Sequence, residues 1–175
     1  MSEDAGAPPG PLVLDASVIT AVVRGDAAVT GLVLDCEARG RALVIPVLAM
    51  TAASLDTRTE EAEDLLAGLE RLDTVMVAPL RDAEQAARLA AVIARTGLGP
   101  WEAHVAAVAD AVICPILTLE AEKWRQHCLD LDEPLHIVEI ADPDQGQARL
   151  PRSRRAITPK VIHPTTIESQ KLTSR

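Results

Sequence analysis

The sequence predicts an α/β protein, a three-layer α/β/α sandwich around a mostly parallel central sheet. Three observations lead there. Short continuous apolar runs recur along the chain, as in strands buried on both faces. Each is followed by a stretch with helical apolar spacing, bounded by capping residues or glycines. Two of the runs end on an acid, Asp15 after "LVL" and Glu120 after "ILTL". Alternating strands and helices build a parallel sheet covered by helices. In such sheets ligands gather outside the carboxyl ends of the strands.

The elements follow in order. Residues 1–10 hold Ala, Gly, Pro and acids and read as a disordered lead. "LVLD" is the first strand, and "ASVITAVVRGD" a short helix with Ser17 near its start and Gly25 at its end. Asp26 can cap a second helix through about Ala38, closed at Gly40. "RALVIP" is a second strand, stopped by Pro46, with "VLAMTAASL" as the helix after it. The amphipathic helix from Asp56 to Asp73 places Leu65, Leu66 and Leu69 on one side and acids on the other. "TVMVAP" is a third strand, and "RDAEQAARLAAVIARTG" a helix with a glycine stop. Pro100 opens the next helix, "PILTLE" is a fourth strand, "AEKWRQHCLDLD" a helix and "LHIVEI" a last strand.

Composition sets limits. The 175 residues fit one domain, at 11–141, with a tail over 142–175. Hydrophobic residues make up 48%, but there is no Phe or Tyr, so the core is built from Ala, Val, Leu and Ile. The same lack argues against aromatic base-stacking platforms. No apolar run approaches the roughly 18 residues of a membrane span. The acidic first ten residues do not resemble a signal peptide. Cys36, Cys114 and Cys128 form no zinc pattern and read as reduced thiols in a cytoplasmic protein.

Charge is uneven. Up to Asp144 there are 25 acids and 10 bases, and beyond it 7 bases and one acid, Glu168. The tail has scattered prolines and no periodicity, so disorder is expected. Within it "RLPRSRR" offers Arg152, Arg154 and Arg155 to nucleic-acid phosphates through charge alone. It could equally screen the acidic body or act as a solubilising extension.

The candidate chemistry is a set of three carboxylates. Asp15 and Glu120 end strands, and Glu102 lies in the first turn of the helix after Pro100, where the macrodipole also favours an acid. Clustered carboxylates repel unless a cation neutralises them. Oxygen ligands on an open site suit Mg²⁺ or Mn²⁺. Such ions activate water and stabilise a phosphodiester under attack. His104, two residues after Glu102, points away from it and is assigned to an interface or the surface. His127 is assigned to the surface. Trp101 and Trp124, each flanking a motif acid, read as covers of a core edge or a partner interface, with base stacking as the alternative.

These residues carry a resemblance. "LVLDASVI" is similar to the opening of PIN domains, the metal-dependent ribonuclease fold of VapC-type toxins, with Asp15 and Ser17 at the matching positions. "EAHVAAVA" resembles a second motif of that family, with Glu102 at the acid position. "LTLE" resembles a third, with Thr118 and Glu120, and "VIPVLAM" resembles the strand–proline–helix step. The likeness covers about Leu12 to Ile140. It implies Mg²⁺ or Mn²⁺ held by Asp15, Glu102 and Glu120, Ser17 and Thr118 as orienting groups, and cleavage of single-stranded RNA by a metal-activated water. It also implies a homodimer and an antitoxin protein as partner.

One departure qualifies the resemblance. The family places a Glu five or six residues after the proline, where this chain has Thr51 and Ala52. Asp56 is the nearest downstream acid and is expected on another part of the helix surface. An alternative follows, a PIN-like binding or regulatory module without catalysis. A receiver-like phospho-acceptor fits less well, because "TVMVAPL" offers no acceptor and Lys123 is the body's only lysine.

Overall fold

The computed structural model describes residues 10–125, 127 and 134–140. The expected disordered lead (save residue 10) and the basic tail lie outside the described residues. The elements are β1 (Leu12–Leu14), α1 (Ala16–Val23), α2 (Ala27–Ala38), β2 (Leu43–Pro46), α3 (Val47–Thr57) and α4 (Glu60–Glu70). They continue with β3 (Val75–Ala78), α5 (Ala83–Thr96), α6 (Pro100–Val112), β4 (Ile116–Thr118), α7 (Ala121–Arg125) and β5 (Ile137–Glu139).

The described strands form one five-stranded sheet in the order β3–β2–β1–β4–β5, and every pairing is parallel. Val13 in β1 lies between Val44 of β2 and Ile116 of β4. Every residue of β1, β2 and β4 is buried, as a sheet covered on both faces requires. The edge strands β3 and β5 are partly exposed, so the burial pattern itself separates centre from edge. This is the three-layer α/β arrangement expected from the alternation of elements.

Local chemistry explains the helix ends. Asp26, Thr59 and Asp82 each accept a backbone N–H as N-cap, satisfying donors that the first turn leaves without helical partners. Pro46 is both the last residue of β2 and the N-cap of α3, so it joins strand to helix rather than only stopping the strand. Gly97 closes α5 at φ 68°, a left-handed turn that glycine adopts without steric cost. Ile113 closes α6 at φ 52°, where a β-branched residue is strained. On α4, Leu66 and Leu69 are buried while Leu65 is 40% exposed, so Leu65 does not share the core face assigned to it. Leu65 and Leu69 are one turn apart, but the buried stripe is centred on Ala62, Leu66 and Leu69.

The core contains small aliphatic residues and one aromatic. Trp124, 1% exposed, is the largest fully buried side chain. Among the described residues no single helix is long and apolar enough to cross a membrane.

Candidate functional site

The sheet order creates the crevice. From β1 the chain moves outward through β2 to β3, then returns to the other side of β1 for β4 and β5. The carboxyl ends of β1 and β4 therefore lie side by side at the point where the winding reverses. Asp15 follows β1 directly, and Thr118 is the last residue of β4. Glu120 lies two residues further on, and Glu102 sits in the first turn of α6.

Asp15 is 4% exposed and accepts four hydrogen bonds. Its Oδ1 takes the Ser17 hydroxyl at 2.5 Å and the Val18 N–H at 3.1 Å. Its Oδ2 takes the Thr118 hydroxyl at 2.5 Å and the Trp124 indole N–H at 3.0 Å. Asp15 is thus the N-cap of α1 as well as the centre of the crevice. The hydroxyls have fixed directions. Ser17 Oγ accepts from Leu119 N–H at 3.0 Å, and Thr118 Oγ1 accepts from Glu120 N–H at 2.9 Å. Each then gives its single proton to Asp15. An ionised carboxylate offers about four lone-pair sites, and protein donors take all of them here.

Glu102 and Glu120 meet a cation from the protein itself. Lys123 Nζ lies 2.6 Å from Glu102 Oε1 and 3.7 Å from Glu120 Oε2. Burial pushes the Glu102 carboxyl upward, but the Lys123 hydrogen bond, a backbone N–H and nearby positive charge outweigh it and hold it below the usual value. Burial likewise pulls the Lys123 ammonium down, while the Glu102 hydrogen bond and the charges of Glu102, Glu120 and Asp15 hold it above its usual value. A β-carbon added at Gly99 would come within 2.7 Å of Glu102 Oε2, so this carboxylate folds back over the start of its own helix. The space left among Asp15, Glu102, Glu120, Lys123 and the two tryptophans is about 20 Å³, close to the room one water needs.

A larger groove of about 660 Å³ opens beside this cluster. Ala52 lines it together with Ser17 and Glu120, so the position where a further carboxylate was sought faces the groove with a methyl group. Thr51 is exposed, and its hydroxyl donates to Val47 C=O. Asp56 lies one helical turn after Ala52 and lines the same groove, not another part of the helix surface. Its carboxylate is held by Arg24 Nη2 at 2.6 Å.

The donor set does not fit a divalent ion as arranged. Asp15 has no lone pair to spare, Glu102 holds an ammonium, and Glu120 is largely exposed. Among the described residues no three His, Cys, Asp or Glu side chains group at metal-ligand spacing. Mg²⁺ demands near-octahedral oxygen geometry and keeps several waters, for which the cavity has no room while the Lys123 ammonium stands on Glu102.

Other assignments resolve clearly. His104 is buried at 4% exposure, not at the surface. Its Nδ1 accepts the N–H of Leu48 at 3.4 Å, in the first turn of α3, where Pro46 supplies no side-chain cap. An accepting Nδ1 places the ring proton on Nε2. Burial holds this imidazole below its usual pKa. His127 is half-buried with Nδ1 3.0 Å from Thr96 C=O. Arg152, Arg154 and Arg155 lie outside the described residues. Sequence reasoning missed the roles of Lys123 and Trp124. The available signal was their position three and four residues after Glu120, where one helical turn returns them to the strand end.

No protein-family model matches the chain, and no curated protein matches its sequence. Similar solved structures do exist. A chain of VapBC2 from Rickettsia felis, bound to a DNA fragment from their promoter, aligns with TM-score 0.54 at 9% identity, covering 74% of this chain and 98% of that one. A chain of DNA-bound VapBC from Salmonella typhimurium aligns with TM-score 0.51 at 16% identity, covering 75% and 98%. These likenesses are of fold alone, and the fold is PIN-like.

Proposed function

We propose that this chain is the PIN-like member of a toxin–antitoxin type pair and that it acts by binding, not by metal-dependent hydrolysis. The observation that carries the second half is the lone-pair count at Asp15. The carboxylate best placed to hold a metal is saturated by Ser17, Val18, Thr118 and Trp124. Ala52 in the groove adds to it, since the carboxylate that α3 does bring to that wall, Asp56, is held by Arg24. The first half is supported by the two VapBC complexes of similar fold. The partner in this reading is an antitoxin protein presenting a basic side chain to the groove, whose wall carries Asp26, Asp56 and Glu120 against Arg24. A homodimer is part of the same proposal.

The test is cleavage of single-stranded RNA in Mg²⁺ or Mn²⁺, with Asp15→Asn as control. The expected result is no metal-dependent turnover above that control. Turnover that Asp15→Asn abolishes would overturn the reading.

That outcome would establish a second reading, a metal-dependent endoribonuclease. The convergence of Asp15, Glu102 and Glu120 at one sheet crevice favours it. Those three would hold Mg²⁺ or Mn²⁺ once Lys123 had swung away, with Ser17 and Thr118 orienting Asp15. Arg152, Arg154 and Arg155 would contact RNA phosphates in either reading.

A further inference from the structure

We propose that the Lys123 ε-ammonium is the resident cation of this crevice, a covalently attached substitute for a divalent ion. The inference rests on the non-hydrolytic reading above and gives it a cause.

The geometry carries it. A cluster of acids at the end of a parallel sheet needs positive charge. Lys123 brings that charge to 2.6 Å from Glu102 and 3.7 Å from Glu120, inside the pocket that Asp15 also lines. It is the only lysine before residue 145, so no other ammonium in this part of the chain can do the same. Its placement is fixed by its neighbour. Trp124 is fully buried and its indole is tied to Asp15, which anchors the short helix α7 against the crevice. One residue earlier, Lys123 emerges at the mouth, 47% exposed in its side chain, with its head on the less exposed Glu102.

A lysine head differs from a divalent ion in what it can do. It carries one charge and three donors and offers no open coordination position for water. It neutralises the acids without activating a nucleophile. It also bars a competing ion, which would have to take Glu102 from the ammonium. Deleting only the ammonium leaves Glu102 and Glu120 facing one pocket without a cation. Mg²⁺ and Mn²⁺ are commonly held by one or two carboxylates and several waters, so the emptied place should admit one.

The experiment is a calorimetric Mn²⁺ titration of the full chain as wild type, Lys123→Met, Lys123→Arg and Lys123→Met/Glu102→Gln. Methionine keeps the stem and removes the charge. The expected result is no saturable binding by wild type or Lys123→Arg. Lys123→Met should bind saturably, at least ~tenfold more tightly than any residual binding by wild type, and Glu102→Gln should abolish that gain. A folded Lys123→Met that binds no better than wild type would overturn the inference. A second measurement needs no change at Lys123. A slowly exchanging side-chain ammonium signal in the ¹⁵N spectrum of wild type, lost in Glu102→Gln, supports the proposal, and its absence from wild type counts against it. The two readings fail separately. Metal-dependent RNA turnover by wild type overturns the proposed function, whereas inert wild type with inert Lys123→Met overturns only the role of Lys123.

Discussion

The indole N–H of Trp124 donates to Asp15 Oδ2 at 3.0 Å across 109 positions of sequence. This bond ties the first strand to the last helix described before β5, and both residues are buried. It makes Trp124 part of the site's support as well as the largest side chain of the core. Trp124→Phe keeps an aromatic ring and removes the donor. A buried carboxylate oxygen then loses a partner, which should cost about 1–3 kcal/mol. Urea unfolding would read this as a lower midpoint with an unchanged slope. An unchanged midpoint would show that the oxygen finds water instead.

The Lys123–Glu102 pair should contribute modestly. Lys123 is nearly half exposed, so solvent screening limits the coupling to about 0.5–1 kcal/mol in a double-mutant cycle of Lys123→Met and Glu102→Gln. Its pH dependence has a definite sign. The Glu102 carboxyl lies below its ordinary value of 4.5 in the fold. The stabilisation is therefore present above that value and lost as pH falls through the lower folded value. Equal coupling at neutral and strongly acid pH would contradict the assignment.

His104 gives a separate pH signature. Its imidazole titrates below the ordinary value of 6.5 in the fold because it is buried. The unfolded chain then binds the proton more readily, so stability is full above that value and declines as pH falls toward the lower folded pKa. Protonation would also remove the acceptor for Leu48 N–H. Urea midpoints measured from pH 8 to 5 should fall more steeply for wild type than for His104→Gln. Parallel curves would assign the acid sensitivity to other groups.

Ile113 should be improvable. It holds φ 52° and is 81% exposed, so the strain is not offset by packing. Ile113→Gly relieves the left-handed penalty but loosens the unfolded chain, for a net gain of about 0.5–1 kcal/mol. A thermal midpoint raised by roughly 1–4 °C would agree. A lower midpoint would mean that the isoleucine makes a contact of its own.

The groove position can be tested by addition. Ala52→Glu places a carboxylate beside Ser17 and Glu120. In wild type, Lys123 should still exclude Mn²⁺, so the single change adds no binding. In the Lys123→Met background it should tighten Mn²⁺ by about tenfold, the scale on which supporting ligands act at other metal sites. Calorimetry decides this, and tight binding by Ala52→Glu alone would show that the missing acid, not the lysine, is what bars the metal.

The fold was readable because its cues are local. Apolar runs such as Leu12–Leu14 and Ile116–Thr118 have no amphipathic alternative, and Asp26, Gly40, Gly97 and Pro100 mark helix ends by backbone chemistry alone. That Asp15 and Glu120 would lie near each other was also legible, since strand ends in a parallel sheet converge whatever the side chains do, and Glu102 joins them from the first turn of α6. What escaped was pairing. That Asp15 would be saturated depends on a tryptophan placed by tertiary packing, not by spacing from Asp15. That His104 would be buried depends on α3, whose proline start leaves an N–H for the imidazole to accept. Asp56 was misplaced for a smaller reason. It was expected more than a turn beyond Thr51 and Ala52 and so on another part of the surface, whereas from Ala52 it is four residues, about one turn, and shares that face.

The central position of β1 has a consequence for how copies of this protein come into being. Its carboxylate waits for Thr118, 103 positions downstream, and for Trp124 beyond it. At about 5–20 residues per second, a ribosome needs roughly 5–20 s to reach them after making Asp15. Until then the first strand lacks β4, and Asp15 has only Ser17 and Val18 beside it. A chain released within that interval has a hydrated acid at a ragged sheet edge and no crevice. Completion of the site thus reports that translation has passed residue 124, and any partner that reads the closed crevice ignores copies that stop short of it.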